Sequence, residues 1–112
     1  MATADDALRV LKKCKLRSAS RIQNPGKYHF SIEFEFSEEM DYDILTRQLE
    51  YLSLRPSARR ISTTYAGTDF EVSVRRPGSS EFNRGHAASI AFLLPERYVE
   101  TYEDLQKRVS NR

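Results

Sequence analysis

Few side chains in this chain could move a proton near neutral pH, and none stands in a spacing that marks a reactive centre. His29 and His86 fall in different segments, and Cys14 is the single cysteine. Two histidines and a cysteine without a ligand motif do not make a zinc site. Cys14, at the end of an apolar helical stripe, reads as a small buried residue and not as a nucleophile. Glu33 and Glu35 would share one face of a strand, but basic residues on a neighbouring strand account for them. The phosphate cradles GxGxxG and GxxxxGK(S/T) and the nucleophile elbow GxSxG are absent from the sequence. A non-enzymatic protein with no metal and no cofactor is expected.

Arginines carry the stronger signal. The stretch RRISTTYAGTDFEVSVRR, residues 59–76, begins and ends with a pair of them. Gly67-Thr68 as a two-residue type II′ turn would close a hairpin. That register sets Tyr65 opposite Phe70, Thr63 opposite Val72 and Ile61 opposite Val74. It also sets Arg60 opposite Arg75 and Arg59 opposite Arg76, so four cations meet at the base. Like charges directly opposite each other destabilise a sheet. Such a cluster needs anions, either the protein's own or a partner's. Arg55, Arg84 and His86 in the flanking loops would extend it, and Phe82 could stack on a base.

The charge pattern bears on the same question. The 112 residues carry a formal net charge of only +2, but charged residues make up 30% of the chain. Residues 1–27 are strongly basic, 28–54 strongly acidic and 55–86 basic again. The acidic block contains Glu33, Glu35, Glu38, Glu39, Asp41 and Asp43. Part of it has a local explanation, because acids at a helix N-terminus oppose the positive end of the macrodipole. An isoelectric point of 8.8 falls short of the one-sided basicity usual in nucleic-acid-binding domains.

The elements that must position these residues follow from periodicity. Thr3 to Asp6 has the form of a capping box, and Ala7, Leu8, Leu11 and Cys14 recur at helical spacing, predicting a helix over about 4–13. Residues 28–36, YHFSIEFEF, alternate aromatic or apolar with polar residues, as a half-buried strand does. The preceding KLRSASRIQ is its partner across an odd-length loop, pairing Leu16 with Phe34, Ile22 with Tyr28, Lys15 with Glu35 and Arg17 with Glu33. Ile44, Leu45, Gln48, Leu49 and Leu52 form a helical stripe that Arg55-Pro56 ends. The 59–76 hairpin and a long loop over 77–86 come next. AASIAFLL (87–94) is apolar on both faces and belongs inside a sheet. Pro95 opens a last helix with Tyr98, Tyr102, Leu105 and Val109 on one side.

The expected fold is α+β, a two-layer sandwich in the order α-ββ-α-βββ-α. A mainly antiparallel sheet of about five strands carries its helices on one face, and residues 1–112 form one domain. MATADD lacks the basic-then-apolar order of a secretory signal, and no apolar run is long enough to span a membrane, so a cytoplasmic or nuclear setting is expected. The expected role is a small binding or adaptor module working through protein contacts or self-association, as an inhibitor or accessory factor of viral type does. Nucleic-acid binding through the arginine cluster and the 77–86 loop is the alternative.

Overall fold

The computed structural model describes residues 2–76 and 89–111, and among these it contains three helices and one six-stranded antiparallel sheet. Helix α1 (Ala4–Leu11) starts on the expected capping box. The Asp6 N–H donates to Thr3 Oγ1 at 3.3 Å, and the Thr3 N–H donates to Asp6 Oδ2 at 2.8 Å. Helix α2 (Tyr42–Tyr51) is capped by Asp41, whose Oδ1 accepts from the Ile44 N–H at 2.9 Å. A 3-10 turn (Glu96–Tyr98) leads into α3 (Val99–Ser110).

The strands are β1 (Lys15–Arg21), β2 (Phe30–Glu35), β3 (Arg55–Ala58), β4 (Ser62–Ala66), β5 (Glu71–Arg75) and β6 (Ile90–Leu94), and they lie in the order β1-β2-β6-β5-β4-β3. The doubly apolar β6 is interior, as its sequence demanded. It pairs with β2 on one side and β5 on the other. Ala19, Ile32, Phe92, Val72 and Tyr65 register with one another across five strands, and all five are buried. Apolar residues of all three helices join the same core cluster, and no polar or charged residue is buried among the described residues.

Three expectations are corrected. The sheet has six strands and not about five, because RPSA forms β3. Proline fits only an edge strand, where no ladder bond is lost, and β3 is an edge paired to β4 alone.

The β1–β2 register changes part-way. Lys15 faces Glu35 and Leu16 faces Phe34 as expected, but a bulge follows, so that Ser18 faces Glu33 and Arg21 faces Phe30. The extra residue is Arg17. The bulge lets the even-numbered Leu16 and the odd-numbered Ala19 both reach the core. It also turns Arg21 over two rings, its guanidinium carbon 5.2 Å from the centroids of both Phe30 and Tyr102.

The 59–76 hairpin slides by two residues. Tyr65 faces Val72, Thr63 faces Val74 and Ser62 faces Arg75. An even shift keeps every side chain on its expected face. The turn is a four-residue loop, 67–70, in which the Gly67 N–H donates to the Phe70 carbonyl at 2.9 Å. Gly67 is not in the left-handed region that a type II′ turn requires. It is glycine because the buried Phe70 ring lies across it, 2.2 Å from where a Cβ would stand. Phe70 then meets Phe92 edge-on, with centroids 6.1 Å apart.

Candidate partner-binding site

The corrected register rearranges the arginines. A hydrogen bond from the Arg59 N–H to the Ser62 carbonyl, 2.7 Å, closes the tight β3–β4 turn, so Arg59 and Arg60 lie on that turn. Arg75 faces Ser62, and the Arg76 N–H donates to the Ile61 carbonyl at 2.9 Å. The expected Arg60–Arg75 and Arg59–Arg76 pairs therefore do not form. Instead Arg59 and Arg75 flank Ser62 from its two sides, and Arg76 Nη1 approaches the Arg60 carbonyl at 3.4 Å. The four residues still share one corner of the sheet, spread along it and not stacked as rungs. A peptide carbonyl takes a guanidinium there in place of a facing cation.

Arg55 stands at the other end of β3, opposite Ala66 and beside the β4–β5 loop, and all four residues of the strand are exposed. Arg59 and Arg60 are exposed as well. Among the described residues Arg55, Arg59 and Arg60 enter no salt bridge. Phe82, Arg84 and His86, the expected extension of the cluster, lie outside the described residues.

The acidic block is engaged elsewhere. Arg17 Nη1 donates to Glu35 Oε1 at 3.2 Å, and Ser18 Oγ donates to Glu33 Oε1 at 3.0 Å. Asp41 caps α2, and Asp43 lies in its first turn. Glu38 and Glu39 line a surface depression together with Lys13 and Lys15. These partners come from the basic N-terminal segment and from a helix dipole. β6 and β5 separate β2 from β4, a distance of about 14 Å at ~4.8 Å per strand.

Cys14, His29 and Tyr28 each have a defined local setting. Burial pushes the Cys14 thiol up to about 11, so it is protonated at neutral pH and poorly nucleophilic. It borders an open cleft of about 390 Å³ floored by Leu16, Phe34 and Leu105. Lys12 and Arg108 at its rim stand at the C-terminal ends of α1 and α3, where cations are favoured anyway. His29 contacts Glu96, Nδ1 to Oε2 at 3.0 Å. Tyr28 is pushed up to about 12 by burial, with the Glu71 carboxylate beside it adding to the effect. No group of three or more His, Cys, Asp or Glu among the described residues could hold a metal ion. No helix among them is long and apolar enough to cross a membrane.

Two exposed residues that flank β3 in the chain were not singled out as surface features from the sequence. Tyr51, at the end of α2, is 79% exposed, and Ile61, on the β3–β4 turn, is 40% exposed; they are the exposed large hydrophobics among the described residues. They bracket β3 in the chain. A signal for Tyr51 was present, since it falls off the Ile44–Leu52 stripe. No protein-family model, curated protein or solved structure matches this chain.

Proposed function

We propose that the chain is a non-enzymatic binding module, a two-layer domain with its helices on one face, that docks an acidic surface of a partner protein on its arginine corner. The observation that carries this reading is the pair Arg59 and Arg60, exposed, outside any salt bridge among the described residues, and set beside Arg75 and Arg76, with Arg55 exposed at the other end of β3. Clustered cations cost stability wherever they are not neutralised. A partner's carboxylates supply the missing charge and gain on-rate from the field of the cluster. The Cys14 thiol, held protonated by burial, supports a binding role over thiol catalysis.

The test is salt-dependent binding of three labelled probes: a glutamate-rich peptide, single-stranded DNA and double-stranded DNA. The peptide is expected to bind at low salt. Replacing Arg59 and Arg60 by serine should weaken it about twofold to thirtyfold, at ~0.2–1 kcal/mol per exposed ion pair. Tighter binding of either DNA, lost with the same arginines, would move the site to a phosphate partner. Failure of all three probes at low salt would remove the corner as a binding site.

A further inference from the structure

The two edges of the sheet are not equivalent. On β1 the Arg17 bulge interrupts the strand, and Gln106 of α3 donates its side-chain amide to the outward Ala19 carbonyl at 2.9 Å. Bulges and covering helices are how sheets close an edge. Nothing comparable covers β3 among the described residues, where each residue from Arg55 to Ala58 is exposed.

The phase of the β3–β4 ladder shows which groups β3 presents. The Arg59 N–H bonds inward to Ser62, so by alternation Ser57 and Arg55 also face β4. Pro56 and Ala58 turn their main-chain groups outward: both carbonyls and the Ala58 N–H. Pro56 has no N–H to present, so the edge is richer in acceptors than in donors. Tyr51 and Ile61 supply exposed apolar surface on either side of the strand in sequence. Tyrosine and arginine are also the side chains that most often anchor a binding site.

We infer that β3 is a strand-addition site for an extended acidic segment of a partner protein, its backbone pairing with Pro56 and Ala58, its carboxylates facing Arg55, Arg59 and Arg60, and its apolar residues meeting Tyr51 and Ile61. The inference rests on the proposed function and adds the binding mode. Charge selects the occupant. A second copy of the chain, pairing antiparallel about a two-fold axis, would set Arg55 of one molecule near Arg59 of the other, like charge against like. An acidic strand meets the same arginines with opposite charge, and main-chain bonds supply affinity that charge alone does not.

The experiment uses the full chain and a fluorescein-labelled peptide of alternating glutamate and valine. It is compared with the same peptide N-methylated along its pairing edge and with a polyglutamate of equal charge. Strand addition predicts about fivefold weaker binding for each main-chain bond the methyl groups remove. It also predicts that the Ala58 amide, free to exchange in the unbound protein, becomes protected when the alternating peptide binds. Ala58→Pro removes that outward donor without touching the β4 ladder and should weaken the peptide to a similar degree. The exchange measurement on the unaltered protein decides the matter even if Ala58→Pro fails to fold. Equal binding of the methylated peptide and polyglutamate, with the Ala58 amide still unprotected, would overturn strand addition and leave docking by charge standing. Absence of binding by every peptide, with or without Arg59 and Arg60, would overturn both.

Discussion

Gly67 holds the β4–β5 loop in the form that sets the register of Arg75 and Arg76, and a single methyl group there tests the account. In Gly67→Ala the new Cβ would stand 2.2, 2.4 and 2.7 Å from three carbons of the Phe70 ring. The ring cannot swing into solvent, because Phe70 is fully buried and packs edge-on against Phe92. It has to move by about an ångström within a close-packed core, and overpacking of this kind costs ~1–3 kcal/mol. Losing a glycine from the unfolded chain offsets ~0.4–1 kcal/mol of that. A net loss of about 1–2 kcal/mol follows, or roughly 5–10 °C in melting temperature for a domain of this size. Urea unfolding measures it directly, with an unchanged slope showing that the folded state stays compact. In a Phe70→Val background all three offending carbons, Cδ1, Cε1 and Cζ, are gone, so the same glycine replacement should be close to neutral. Equal cost in both backgrounds would refute the ring clash and point back to a glycine needed for its backbone conformation.

Three further outcomes follow from the packing. The Cys14 thiol is raised from 9.0 to about 11 by burial; an acid held protonated by the fold stabilises fully below its unfolded value, and that stability is lost as pH rises from about 9 through about 11. The loss should total on the order of 2–3 kcal/mol in unfolding titrations, and Cys14→Ala should flatten that part of the profile. Asp41→Ala removes the acceptor for the Ile44 N–H and should cost about 1 kcal/mol by thermal unfolding, restored by Asp41→Ser. Arg21 lies over Phe30 and Tyr102, which stack with centroids 4.5 Å apart. A double-mutant cycle between Arg21→Ala and Tyr102→Leu should give a coupling of about 0.5–1 kcal/mol.

Much of the fold was legible because one physical signal dominated in each stretch. The strict alternation of Phe30, Ile32 and Phe34 has no helical reading. The two apolar faces of Ile90–Leu94 leave only an interior position. What failed to show were choices that depend on tertiary contacts. Gly67-Thr68 is a sound local turn signal, but the fully buried Phe70 prefers a longer loop in which its ring crosses Gly67. The β1–β2 hairpin carries two partial registers, one favoured by Leu16 and the other by Ala19, and a bulge satisfies both. RPSA has no apolar pattern because its strand buries nothing, so periodicity could not reveal it. That silence matters for the candidate site, since a fully exposed edge is where a partner can pair. The arginines were legible as a group, while their placement had to wait for the true register.

The arginine corner makes a claim about stability that does not depend on knowing the partner. Arg60 lies on a tight turn with its carbonyl 3.4 Å from Arg76 Nη1, and Arg59 precedes it directly. If these cations repel one another in the free protein, removing one should stabilise the fold. Arg60→Gln keeps a long polar side chain and should raise the unfolding free energy by a few tenths of a kcal/mol at low salt. The gain should disappear near 1 M salt, where the screening length falls to about 3 Å. Arg17→Gln is the control of opposite sign, because it removes the partner of Glu35 and should cost a similar small amount. The same Arg60→Gln change should weaken the acidic peptide, so stability and binding move in opposite directions. Residues kept for packing lose both together, whereas a charge kept for a partner is a burden until the partner arrives. Loss of stability in Arg60→Gln at low salt would mean that the guanidinium is already neutralised within the chain, and the corner would then have no charge to offer.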